Sequence, residues 1–181
     1  MNDRPANLAQ SFLEQARHSL QRHHLPRLAR CLQELSETDI WWRPNSASNS
    51  VGDMVLHLGE NFQQWIISGQ DGEHDRRDRP REFAERGPIP RSKLIAGLRA
   101  AVTKATNVLR EVSARDLKRL YTIQGFRVSG MTAIQHVLEH FAYHAGQIVY
   151  VTKLRRRKDM GFTRLPGEKP KSRKQRRLPT I

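Results

Sequence analysis

MTAIQHVLEHFAYHAGQIVYVTKLRR, residues Met131 to Arg156, decides the reading of this chain. Apolar side chains recur at Ile134, Val137, Leu138, Phe141, Ala145, Ile148, Val149, Val151 and Leu154, a spacing of three and four that predicts one long buried helix. On it His140 and His144 stand four apart. That separation puts both imidazoles on nearly one face, about 6 Å apart along the axis, within reach of one divalent ion. The motif is weak by itself, since eight histidines in 181 residues give about 0.3 such pairs by chance. His136 continues the series, but it lies eight positions from His144, about 80° of rotation and 12 Å of rise away, so the three cannot converge on one ion.

A metal held by two ligands on one helix needs another from a neighbour, and a second helix supplies a candidate. Ser50 followed by Asp53 resembles a capping box, and Met54, Leu58, Phe62, Trp65 and Ile66 form a helical stripe ending at Ser68-Gly69. His57 lies in the middle of this segment. Facing helices of a bundle build metal sites from such side chains, so His57, His140 and His144 together would give three nitrogen ligands and leave a position open to water or substrate. Asn61, one turn beyond His57, is a candidate hydrogen-bonding group for that water or substrate. Glu139 and Gln147 flank the α-helical pair and are candidates to orient it.

The remaining segments complete an all-α four-helix bundle with long crossover loops. Leu8, Phe12, Leu20, Leu28, Leu32 and Leu35 mark an amphipathic helix, kinked or divided at Pro26. Residues 36–49 contain Trp41-Trp42-Arg43-Pro44 and an Asn/Ser cluster, a structured loop with the two tryptophans packed under it. Residues 70–90 are charged and punctuated by Gly and Pro, a long loop in which Arg76 and Arg79 are candidates to receive an anionic substrate. Ser92 is the expected cap of a third helix running to Val112, and Leu120 to Ser129 permits a small hairpin or an extended crossover.

Length and composition set the outer bounds. A chain of 181 residues fits one domain, the single Cys31 excludes an internal disulfide, and the polar N-terminus does not resemble a signal peptide, so the expected location is cytoplasmic. No run of about 18 apolar residues is present, and no membrane span is expected. The net charge of +14 is unevenly spread: from Lys153 to Ile181 twelve basic residues face two acidic ones, ten of the fourteen units. The expected division is therefore a bundle over residues 1–165 and a basic, disordered tail over 166–181.

Trp42-Arg43-Pro44-Asn45, Ser50-Val-Gly-Asp-Met-Val-Leu-His57-Leu-Gly-Glu-Asn61, Arg76-Arg77-Asp78-Arg79-Pro80-Arg81-Glu82-Phe83 and Glu139-His140-Phe-Ala-Tyr-His144-Ala-Gly-Gln147-Ile148 together resemble the DinB-like (YfiT-like) superfamily of bacterial four-helix metal-binding proteins. That superfamily shares a name with a DNA polymerase and is unrelated to it. The resemblance runs from about residue 7 to residue 163, points to an uncharacterised branch, and leaves out the basic tail. It implies a metal-ligand role for His57, His140 and His144, a homodimer, and chemistry akin to thiol transferases and isomerases that use a divalent metal to activate a low-molecular-weight thiol.

Two function classes follow. In the first, three neutral imidazoles bind zinc or nickel in a metal-dependent hydrolase or thiol transferase acting on an unidentified small molecule. In the second, the bundle is a scaffold and the basic tail contacts nucleic acid or an acidic partner, mainly by phosphate neutralisation in the nucleic-acid case. Metal content tracks the histidines, whereas nucleic-acid binding tracks the tail.

Overall fold

The computed structural model describes residues 8–69, 89–163 and 165–168. The first rod is composite: α1 (Leu8–His18) passes into a π-helical turn, Ser19–His24, and on into α2 (Leu25–Glu34). Pro26 falls in the first turn of α2, directly after the π-helical turn. The rod is thus divided close to the proline, as expected, by an irregular turn just before it. A short helix α3 (Glu37–Ile40) and a loop lead to α4 (Val51–Phe62), which continues into a second π-helical turn, Gln63–Ser68.

The third rod, α5 (Arg91–Glu111), starts two residues earlier than a Ser92 cap would set it, with Pro90 in the cap position. Its N-terminus is held by a neighbour: the Glu37 carboxylate accepts from the Arg91 backbone N–H at 3.1 Å, so Ser92 has no capping part. After α6 (Ala114–Lys118), strands β1 (Leu120–Ile123) and β2 (Phe126–Ser129) form the hairpin, with Ile123 opposite Phe126. Gln124 and Gly125, both at positive φ, make the two-residue turn that such a pairing requires. The fourth rod is α7 (Gly130–Arg156).

These rods form an all-α four-helix bundle. α4 packs on α5 and α7, and α2 packs on α7 and α5. Leu28, Leu32, Leu58, Phe62, Val102, Leu109, Phe141 and Ile148 fill the centre, with Phe62 and Phe141 edge to face at 5.2 Å. The segment predicted as a crossover, with Arg76 and Arg79, lies outside the described residues, as does the tail from residue 169. Among the described residues no helix is long and apolar enough to cross a membrane.

The start of α4 is unusually well anchored. Ser50 and Asp53 form the reciprocal capping box, and Asp53 Oδ2 also receives Arg43 at 2.6 Å, although the Asp53 side chain is fully buried. Gly52 lies against the Trp41 ring so closely that a Cβ would sit 2.7 Å from it, so Gly at this position admits the tryptophan. At the other end of α7, Arg155 bonds Asp39 and stacks over Trp42 at 4.7 Å, while Lys158 bonds Glu34 at 2.7 Å. That lysine hydrogen bond holds the Glu34 carboxyl below its usual range.

Arg43→Ala leaves a buried carboxylate without its counter-charge and is expected to lower the unfolding free energy by about 3 kcal/mol. Ser50→Ala removes one cap and is expected to lower it by about 1 kcal/mol. Urea unfolding of the two variants gives the order directly, and a milder effect for Arg43→Ala would contradict the clamp.

Candidate metal centre

The capping box at Ser50 and Asp53 fixes where α4 begins and hence which side chains face α7. His57, one turn past Asp53, points inward and is only 4% exposed. From α7, His140 is half-buried and His144 buried beside it. His57 Nε2 and His140 Nε2 lie 2.8 Å apart, and the ring centroids of the three histidines are 4.5 to 5.2 Å from one another. One ligand atom from each falls within 4.8 Å of the others, so this cluster could hold a metal ion.

The donor set fits a divalent transition metal. Tetrahedral ligands at typical Zn–N distances stand about 3.3 Å apart, between the 2.8 Å pair and the outer limit of the cluster, so small ring shifts suffice. His57 and His140 stand within hydrogen-bond distance of each other, and a metal ion bound by both would take the place of that contact. His144 Nδ1–H donates to Gln147 Oε1 at 2.7 Å, which selects the tautomer whose Nε2 lone pair is free to ligate. Burial lowers the His144 pKa and the neighbouring His57 adds to this, while Gln147 opposes it. The ring is held in the neutral form that a metal requires.

Around the cluster, His136 stacks between Trp65 at 4.0 Å and His140 at 5.6 Å. It buttresses the His140 ring from outside the three-nitrogen group. Asn61 is buried one turn after His57. Glu139 does not serve as an orienting partner: it is exposed and accepts from Gln135 at 2.8 Å. His24 is half-buried against Phe141, and Gln147 performs the orienting role for which it was a candidate.

A cleft of about 670 Å³ opens at His144 and Gln147, between the loop residues Pro44, Ala47, Ser48 and Asn49 on one side and Tyr143 and Tyr150 on the other. Asn45 Oδ1 accepts from Ala47 N–H and the Ser48 hydroxyl, which folds the loop tip into a compact turn. Tyr143 and Tyr150, 65% and 69% exposed, line the mouth instead of filling the core. Nothing in the sequence pairs residues 44–49 with α7. The contact depends on the Arg43–Asp53 clamp, which only the folded chain displays.

The fold agrees with the comparisons to known proteins. Residues 7–169 match the family described as a protein of unknown function, DUF1572. The chain belongs to that family. No curated protein matches it. A DinB-like protein from Bacillus subtilis is 19% identical with a TM-score of 0.58, covering 77% of this chain and 91% of that one. A DinB-like protein from Bacillus cereus is 16% identical at TM-score 0.61, covering 81% and 91%, and a conserved protein from Enterococcus faecalis is 18% identical at 0.61, covering 78% and 95%. At these identities the likeness is one of fold: the chain shares the fold of these DinB-like proteins.

Gln147→Ala, which frees the His144 ring, is expected to weaken zinc binding by about tenfold to a hundredfold with little change in stability. Competition with a chromogenic chelator measures this, and unchanged affinity would remove Gln147 from the centre. Because the fold disfavours charged His144, the metal-free protein is most stable above the ordinary imidazole pKa of about 6.5 and loses stability as pH falls below it. Urea midpoints across that range check the sign.

Proposed function

We propose that this protein is a divalent-metal-dependent enzyme of the hydrolase or thiol-transferase type, with His57, His140 and His144 as ligands to zinc or nickel and one coordination position left for water or substrate. A divalent ion held there supplies Lewis-acid chemistry, lowering the pKa of a water or thiol toward neutrality. The observation that carries this reading is the convergence of three imidazoles from two helices, one of which, His144, lines an open cleft. A closed structural site would have a fourth protein ligand, and among the described residues the group contains three.

The chain's own groups then have separate parts. Gln147 keeps the His144 ring in one tautomer and orientation, and the Trp65–His136 stack limits the swing of His140. Tyr143 and Tyr150 offer aromatic walls to the organic part of a substrate. Asn61 is assigned a hydrogen bond to the bound water or substrate, and Arg76 and Arg79 are assigned the capture of an anionic substituent. A cytoplasmic homodimer belongs to the same proposal. The second reading, a binding protein whose basic tail contacts nucleic acid, draws on the concentration of ten of the fourteen charge units after residue 152.

His144→Ala is expected to lose the metal ion that the wild-type chain carries, as measured by elemental analysis of protein purified under identical conditions. Retention of full stoichiometry by that variant would overturn the ligand assignment. Metal-loaded protein screened against thiol, amide and ester substrates tests the enzyme reading, for which activity lost with the metal is the expected result. For the tail, removal of residues after Pro166 separates the readings: loss of salt-sensitive DNA binding with metal content intact would establish the tail as a second function, and unchanged binding would dismiss it.

A further inference from the structure

α7 presents a second, chemically different flank. Ala142, Ala145, Val149 and Lys153 recur at positions i, i+3, i+7 and i+11, a stripe turned towards α2 and away from the one bearing His140 and His144. The first three are small or short side chains, and they floor a pocket of about 340 Å³, within the size range of small-molecule sites. Its opposite wall is His24, the last residue of the π-helical turn Ser19–His24, together with Arg27 of α2. Wide turns of this kind sacrifice regular helical bonding and concentrate at functional positions. The roof is the segment after α7, fixed by Lys158 on Glu34 and by Phe162, whose backbone carbonyl accepts from Arg27 and whose ring lies under Arg27 and Arg30.

The rim has the groups that recognise an anion. Arg27 and Lys153 contribute two positive charges and Asp159 one negative, which leaves one positive unit uncompensated. Lys153 is only loosely paired: its Nζ is 3.9 Å from an Asp159 oxygen that already accepts from the Gly161 backbone at 3.0 Å. Arg27 uses two N–H groups, on His23 and on the Phe162 carbonyl, and a guanidinium has five. The His24 ring lines the pocket half-buried and makes no hydrogen bond among the described residues. Burial, with His23 and Arg27 beside it, pushes its pKa down to about 4, so at neutral pH it is an uncharged ring with an N–H to donate.

We propose that this pocket is a ligand site, separate from the histidine centre, for a small organic monocarboxylate with an apolar body. The carboxylate meets Lys153, the spare Arg27 N–H groups and His24, and the body lies on Ala142, Ala145 and Val149 beside the Phe162 ring. One uncompensated charge matches a monoanion better than a phosphate dianion, and the apolar floor adds nothing to the binding of a bare inorganic ion. Gly146 borders both this pocket and the cleft at His144, so the two sites are neighbours across the α7 ridge.

Calorimetric titration of the full-length protein with benzoate, benzamide and inorganic phosphate tests the proposal. Benzoate is expected to saturate one site per chain, with the neutral amide and the inorganic ion at least about tenfold weaker. Lys153→Gln is expected to weaken benzoate by about tenfold, the loss of one charge-assisted contact. Ala142→Leu, which fills the floor from an exposed position on α7, is expected to abolish binding while leaving the melting temperature unchanged. His144→Ala is expected to leave benzoate affinity intact. Absence of saturable benzoate binding would overturn the proposal, as would equal affinity for benzamide, a preference for phosphate, or indifference to both pocket variants. Loss of binding in His144→Ala would instead assign the carboxylate to the histidine centre and likewise overturn it.

Discussion

Three imidazoles taken out of water between two helices need partners for their ring nitrogens, and the rest of the structure is organised around meeting that need. His57 and His140 satisfy each other across 2.8 Å, and His144 turns its Nδ1–H to Gln147. These contacts tolerate little slippage between α4 and α7, because moving one rod by a turn would separate the rings by about 5 Å. The register is therefore pinned at one end of the pair from both helices: Asp53 with Ser50 and Arg43 at the start of α4, and Arg155 with Asp39 and Trp42 at the end of α7. The loop joining those anchors is the same one that walls the cleft, so the groups that stabilise the helix start also shape the approach to the histidines.

The two flanks of α7 illustrate how one helix supports two chemistries. On the side facing α4, apolar packing surrounds a compact set of nitrogen donors. Towards α2, small side chains leave room and the charged groups stand at the rim. Both flanks rely on an irregular helical segment opposite: Gln63–Ser68 carries Trp65 to the His136 ring, and Ser19–His24 carries His24 to the second pocket. A regular α-helix has 3.6 residues per turn, so a wider turn redirects the side chains that follow without breaking the rod.

Much of this was legible before the fold was known. The three-and-four spacing from Ile134 to Leu154 announced α7, and the Ser50/Asp53 pair announced the start of α4, because both signals are local and physical. His57, His140 and His144 could be grouped since each fell on the core-facing stripe of its own helix. What the sequence did not reveal depends on distant partners. Ser92 looked like a cap, but Glu37 from α3 took that role; Glu139 looked like an orienting group, but Gln135 one turn away engages it. His24 sits among charged neighbours in sequence, and only the packing of Phe141 against it makes it part of an interior surface. The π-helical turns have no sequence signature comparable to a capping box.

The central claim is that one divalent ion is bound by these three rings and by nothing else from the chain. X-ray absorption spectroscopy at the zinc or nickel edge of the purified protein tests this most directly. The account predicts a first shell of light atoms with the multiple-scattering signature of three imidazoles and at least one further oxygen or exogenous ligand. A shell containing protein sulfur, or a signature of fewer than three imidazoles in the wild-type chain, would contradict it.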